Sequence, residues 1–289
     1  MTAGRTRLAF LVLLVAFLAS LPLWAPRFWL YIATQALIFA IFAMSLDLLL
    51  GYAGLASFGH AAFYGLGAYG CGLLALRHVD GLLPLLLAGG LLAALLAVPI
   101  GALSLRTSGI YFLMLTLAFG QMLWGLAVNW ISLTRGTDGL IGIPRPAVPG
   151  LDALNITLYE RGPFLLMVLG VTVICFVLLE ILVRSPFGKT LEGIRENERR
   201  MQALGFPTFR YRLAAFVIGA AIAGMAGALA AMANGYATPD LLYWTTSGLV
   251  LIAVVVGGAR SLIGPVLGAF LVLGAQLGLS TYLQRWELL

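Results

Sequence analysis

Long apolar stretches separated by polar ones dominate this chain. Apolar blocks lie at roughly 8–25, 28–50, 54–76, 82–105, 109–131, 163–183, 213–233 and 246–284. A helix needs roughly 20 residues to cross a bilayer's hydrocarbon layer, so each block but the last predicts one crossing. The last is too long for one helix and is interrupted by GGARSLIGP at 257–265, which predicts two. The stretch 234–244 predicts a small non-spanning helix. The fold class expected is an all-α integral membrane protein, a polytopic bundle of about 8–10 transmembrane helices. A membrane β-barrel would show short alternating segments instead of long apolar blocks.

Two longer polar segments set the topology within a single transmembrane domain over residues 1–289. Residues 132–162 are rich in Gly and Pro and nearly balanced in charge. Residues 184–212 carry seven Lys/Arg against three Asp/Glu. The positive-inside rule places this island on the cytoplasmic side. One apolar block separates the segments, so 132–162 is expected to be external. Counting back five helices puts the N-terminus in the cytoplasm, in agreement with Arg5 and Arg7. Those arginines and the apolar run after them resemble a signal peptide, but LPLWAPRFW is a poor cleavage site, so an uncleaved first helix is expected.

Within the island, residues 189–204 predict one amphipathic helix with Leu191, Ile194, Met201 and Leu204 on one face. SPFG at 185–188 separates it from the preceding helix, and GFP at 205–207 stops it. A helix lying on anionic lipid would account for the arginines. A helix gripping a protein partner would also account for the glutamates of ENER, because paired charges set register. Charge alone leaves both readings open.

Composition narrows the class. The chain has 289 residues, 62% hydrophobic and 10% charged, with a mean hydropathy of +1.03. The net charge of +6 flanks apolar blocks, so it reads as an orientation signal, and no nucleic-acid partner is expected. Cys71 and Cys175 fall inside apolar blocks and suggest neither a disulfide framework nor a metal site. No paired carboxylates, HExxH or Ser/Lys arrangement stands out, and no G-x-x-x-x-G-K-[ST] phosphate loop occurs. A non-enzymatic chain is expected, without catalytic residues, metal or bound cofactor. The Asn155-Ile-Thr sequon is read as chance.

Candidate path residues are polar or flexible groups inside apolar blocks. Gly54, Ser57, Gly59 and His60 predict a broken or re-entrant Gly-rich segment that exposes main-chain groups to a path. The bland alternative for His60 is a hydrogen bond between helices. Thr116 and Gln121 are further candidates, with packing as their default role. Asp47 is expected to snorkel or pair at the inner interface, and Glu180 with Arg184 to form an i,i+4 pair. The tryptophans, mostly near block ends, read as interface anchors. Residues 48–68 and 254–274 share an apolar triplet, a Gly, then Ser and Gly before a second Gly-spaced run. Matched interrupted segments of this kind point to a site at a repeat interface.

Five stretches together carry a family resemblance: GYAGLASFGHAAFYGLGAY (51–69), RTSGIYFLMLTLAFGQML (106–123), TRGTDGLIGIPRP (134–146), SPFGKTLEGIRENERRMQALG (185–205) followed by FRYRLAAFVIGAAIAGMAGAL (209–229), and GGARSLIGPVLGA (257–269). They span most of the chain and resemble the permease subunits of branched-chain amino acid ABC importers, in their LivM-type branch. The resemblance implies that 189–204 is the coupling helix. Glu192, Arg195, Glu196, Asn197, Glu198, Arg199 and Gly205 would then dock a cytoplasmic ATPase. The general Glu-Ala-Ala-x-x-x-Gly pattern is absent: with Gly205 as its Gly, the first three positions are Arg199, Arg200 and Met201. It also implies a bacterial inner-membrane location, a second homologous permease, two ATPases that use the ATP, an external binding protein and contact with membrane lipid. A urea or amide permease shares the resemblance. An ion-coupled secondary transporter would need an intramembrane acid–base relay, which is thin here.

Overall fold

A main chain surrounded by hydrocarbon must satisfy its own N–H and C=O groups, so helices fill almost every apolar block. The computed structural model describes residues 2–79, 81–146, 158 and 160–286. Its helices are α1 (Thr2–Trp24), α2 (Arg27–Asp47), α3 (His60–Ala75), α4 (Leu82–Ser104), α5 (Ile110–Asn129), the single turn α6 (Ile131–Thr134), α7 (Arg161–Arg184), α8 (Pro186–Glu196), α9 (Glu198–Ala203), α10 (Thr208–Asn234), α11 (Trp244–Gly257) and α12 (Ile263–Trp286). Among the described residues, α2 with its continuation to Ala53, α4, α5, α7 and α10 are long and apolar enough to cross a membrane, and α1, α11 and α12 contain shorter apolar helices. The last apolar block divides into α11 and α12 as expected. Residues 239–242 form a short 3-10 helix, Pro239–Leu242, in the stretch expected to hold a small one. The Asn155 sequon lies outside the described residues.

Two helices form the centre. The apolar window of α2 is 89% buried and that of α10 67%, against 28% for α5. Lipid supplies no hydrophobic drive between helices, so their contacts depend on close approach at small residues. A Cβ at Gly227 of α10 would run into the Tyr64 carbonyl of α3, and one at Gly67 of α3 into the Gly224 main chain of α10. On α4, a Cβ at Gly89 would lie 2.9 Å from the Gly224 carbonyl oxygen. Aromatic rings fill the remaining interior: Phe42 lies 4.6 Å from Tyr64, and Phe63 stands edge-on to Phe216 at 5.4 Å.

At one end of the bundle two loops are joined by an element absent from the sequence reading. Strand β1 (Leu140–Ile141) pairs antiparallel with β2 (Tyr236–Ala237). The amides of Gly142 and Ile143 both donate to the Gly235 carbonyl at 3.0 Å. The opposite end holds the charged island. Glu180 and Arg184 pair at 2.5 Å, as their spacing predicts. The island's helix differs from expectation: it is two helices, broken at Asn197, whose backbone is extended at φ −157 and ψ 94. Asn197 Oδ1 accepts the Arg200 amide at 2.9 Å and so caps α9, which competes with continuing α8. The four apolar residues therefore do not share a buried face: Leu191 and Ile194 are buried, whereas Leu204 is 66% exposed. SPFG is not wholly a separator either, since α8 starts at Pro186 and only Ser185 stands between it and α7. The GFP stop holds: Phe206 and Gly205 amides bond the Met201 and Gln202 carbonyls, with Gly205 left-handed at φ 85, a Schellman motif.

The α3–α10 approach is testable by adding one methyl group. Gly227→Ala is expected to cost about 1–3 kcal/mol through overpacking against main chain. Gly170→Ala on α7, with open space at its Cα, is expected to be neutral or stabilising. Thermal melts in detergent compare the two.

Candidate functional site

The break between α2 and α3 is the centre of the candidate site. From Leu48 the helix widens into a π turn, Leu48–Ala53, and ends at Gly54 in the left-handed conformation, φ 71. No helix resumes until His60. Such π turns concentrate at functional positions. Within the break the Leu55 amide donates to the Leu49 carbonyl at 2.9 Å, and Leu55, Ser57 and Gly59 are buried.

Three neighbours grip the start of α3. On the α2 side, His60 Nε2 lies 2.8 Å from Ser45 Oγ, and its ring stacks on Phe42 at 5.4 Å and 5°. With the Ser45 proton donated to the Phe42 carbonyl at 2.7 Å, the His60 proton sits on Nε2, and Nδ1 is a buried acceptor with no partner among the described residues. On the α11 side, the Ala61 amide donates to Ser247 Oγ at 2.8 Å. On the α5 side, a Cβ at Gly59 would collide with the Thr116 carbonyl, and one at Gly120 would lie 3.2 Å from Gly59 Cα. The crevice between these groups, lined also by Phe119 and Phe216, has no room for a water molecule.

The structure thus brings Gly59 and Thr116 together and turns His60 away, toward α2. Thr116 spends its hydroxyl on the Leu113 carbonyl at 2.9 Å. Ser57 Oγ and Gln121 Nε2 are buried atoms without partners among the described residues. Asp47 differs from the expected interface residue. It is fully buried, and its Oδ1 accepts the Arg260 amide at 3.0 Å. Ser45 and Ser247 were missed in the sequence; each is a hydroxyl in an apolar block whose partner is set by a distant element.

The proposed docking residues sort by direction. Arg195, though exposed, reaches back to the bundle, its guanidinium donating to the Gly51 carbonyl. Glu198 bonds Arg212 at 2.7 Å and Thr208 at 3.2 Å, tying α9 to the start of α10. Glu192 pairs with Lys189 at 2.9 Å, and Asn197 caps α9. Glu196 and Arg199 are exposed, with no hydrogen bond or ion pair among the described residues, and Gly205 closes α9 beside them.

The opposite end carries a polar cluster that the sequence reading did not single out. A recess of about 300 Å³ is lined by Arg145, Arg161, Asn234 and Gly235 among others. Arg145 donates to the Leu158 carbonyl at 3.3 Å and lies 4.6 Å over the Phe164 ring. Arg161 donates to the Arg27 carbonyl at 3.0 Å. Burial first, and then the Arg161 charge, lower the Arg145 pKa below the usual arginine value. Tyr31 and Gln35 both donate to Asn234 Oδ1, at 3.3 and 2.5 Å. A groove of about 830 Å³ between α1, α2 and α12 is lined by apolar groups such as Phe17, Trp24, Trp29 and Leu273; it suits hydrocarbon and offers a zwitterion nothing to bond.

Comparison with known proteins converges on one family. A family model described as branched-chain amino acid transport system, permease component, matches residues 28–289. The high-affinity branched-chain amino acid transport system permease protein LivM of Escherichia coli is 32% identical, over 91% of this chain and 66% of its own length. The LivM protein of Salmonella typhimurium gives the same identity and coverage. A probable branched-chain amino acid transport permease protein LivM of Methanocaldococcus jannaschii is 25% identical, over 80% of this chain and 75% of its own. The chain thus spans just under two thirds of the two enteric relatives. No solved structure matches it.

The His60 contact generates a stability prediction. Ser45→Ala strands a buried imidazole N–H, so it is expected to cost about 1–3 kcal/mol, read as a lowered melting temperature in detergent. An unchanged melt would mean that His60 finds its partner elsewhere.

Proposed function

The chain belongs to the branched-chain amino acid transport system permease family, and from that premise we propose that it is the membrane-spanning permease subunit of an ATP-driven importer for branched-chain or other small hydrophobic amino acids. Its partners in this reading are a second homologous permease, two cytoplasmic ATPases, an external binding protein and the lipid of a bacterial inner membrane. The observation that carries the reading is the pair of helices α8 and α9, with α8 packed on the end of the bundle where Asp47 and Arg260 lie and with Glu196 and Arg199 exposed. The ATPases bind and hydrolyse ATP and displace these helices. The bundle then opens alternately to the two sides.

The path in this reading runs along the break at Gly54–Gly59 and the facing α5. Its closed crevice at Gly59 and Thr116 fits a state between openings. The break and α5 meet through small groups and main chain, so separating them exposes carbonyls and amides for a zwitterion without unmaking side-chain bonds. At the outer end, Arg145 and Arg161 suit a carboxylate arriving from the binding protein.

Two experiments test the reading. Purified with its partners in proteoliposomes, the wild-type chain is expected to support ATP-dependent leucine uptake. Glu196→Lys combined with Arg199→Glu reverses the exposed charge order and is expected to reduce ATPase co-purification by roughly tenfold or more, on the scale of coupled interface charges. Normal assembly would assign α9 to the lipid surface instead, because the swap leaves unchanged the net positive charge that anionic lipid attracts.

Orientation is tested by labelling. Single cysteines at the exposed positions Glu196 and Asp138, with Cys71 and Cys175 replaced, are expected to react from opposite sides of the membrane, Asp138 from outside. Labelling of both from outside intact cells would overturn the cytoplasmic N-terminus.

A further inference from the structure

A helix break leaves main-chain groups without helical partners, and in an apolar slab each must be satisfied by something specific. Two breaks meet at the end of the bundle that carries α8. The first is the π turn Leu48–Ala53 with Gly54; the second is the connection between α11 and α12. Their meeting point is the main chain of Arg260. Its amide donates to Asp47 Oδ1 at 3.0 Å, and its carbonyl accepts from Tyr52 Oη at 3.0 Å. Arg260 is a non-glycine residue at φ 70, a conformation that persists only where the surroundings impose it. Asp47 precedes the π turn and Tyr52 lies within it, so one turn grips the second break on both sides of a single residue.

The docking element joins the same point. The Arg195 guanidinium donates to the carbonyl of Gly51, inside the π turn. Its aliphatic stem lies across Gly54, where an added Cβ would stand 2.8 Å from Arg195 Cγ. At Gly51 a Cβ would collide with the Asp47 carboxylate and lie 2.8 Å from the Arg260 amide nitrogen. Only glycine lets the carboxylate, the second break and the π turn close on one another. Asp47 Oδ2 keeps no hydrogen bond among the described residues, so this buried carboxylate has the positive charge of Arg195 nearby rather than a second donor.

We propose that Arg195 and Asp47 are positioning residues that lock α8 to both helix breaks, so that a displacement of α8 moves the Gly54–Gly59 segment and the 258–262 connection together. A cap serving stability alone needs one bond per break. Here a charged side chain from the docking element reaches the first break, and the first break holds the second. The coupling role rests on the importer reading given above; the mechanical link between the two breaks does not.

The test uses Arg195→Met, which keeps the stem over Gly54 and removes the guanidinium, with Arg195→Lys as the charge-retaining variant. In the isolated permease, amide exchange in 48–60 and in 257–262 is expected to rise roughly tenfold together in Arg195→Met, the scale of one lost charge-assisted bond, with the α3–α10 contact unchanged. Asp47→Asn, which keeps an acceptor for the Arg260 amide, is expected to loosen 257–262 less than Asp47→Leu does. Loosening of α8 alone, or of 48–60 without 257–262, would overturn the lock. In the reconstituted complex, leucine taken up per ATP hydrolysed is expected to fall roughly tenfold in Arg195→Met and to recover in part in Arg195→Lys. An unchanged ratio would overturn the coupling role. A wild-type complex without ATP-driven uptake would overturn the importer reading, and the paired exchange response would still report the lock by itself.

Discussion

The requirement that every main-chain polar group inside the bilayer find a partner within the protein governs this structure. Helices meet it along most of the chain. Where the helices stop, the partner has to be supplied by another element, and that supply decides which elements touch. Ala61 is satisfied by Ser247 of α11, Gly51 by Arg195 of α8 and Arg260 by Asp47 of α2. The two breaks are thus the places where distant parts of the sequence are obliged to meet. Helix α8, the break at 54–59 and the last helical pair share one small region for that reason.

The same requirement separates packing from bonding in the interior. Helices α3, α4 and α10 hold together through glycines and carbonyls, with aromatic contacts such as Phe63 against Phe216 beside them. The α3 start is held differently: His60 to Ser45, Ala61 to Ser247, and Gly59 to α5 by contact alone. Two of its three attachments are hydrogen bonds and the third is only close approach. Of the three neighbours, α5 is the one that can part from the break without stranding a polar group.

The apolar blocks made the elements legible, because crossing length and hydropathy are local properties. The Gly-rich break at 54–59 and the split of the last block were legible for the same reason. The island's break was written as Asn197 followed by Glu198, an N-cap signature that good helix formers on both sides obscured. The similarity between 48–68 and 254–274 pointed to two comparable interruptions, but not to their contact. That contact joins residues 213 positions apart, Asp47 and Arg260, and no periodicity encodes it. Nor does a sequence reveal that the Arg195 guanidinium is tied to the bundle while Glu196 beside it has no partner among the described residues, because the carbonyl it bonds is 144 positions away. The β1–β2 ribbon is two residues on each side, too short for an alternating pattern to announce.

The break at Asn197 divides the island by what each part must satisfy. In α8, Leu191, Ile194 and Arg195 are set by this chain's own interior, so changes there have to be matched by changes in the bundle. In α9 no residue is buried; Glu198 and Gln202 tie it to the start of α10, and Arg199 has no hydrogen bond or ion pair among the described residues. Substitutions in α8 therefore register in the packing of the bundle, whereas most of those in α9 leave it untouched, and a surface of this chain can change there without any change in its interior.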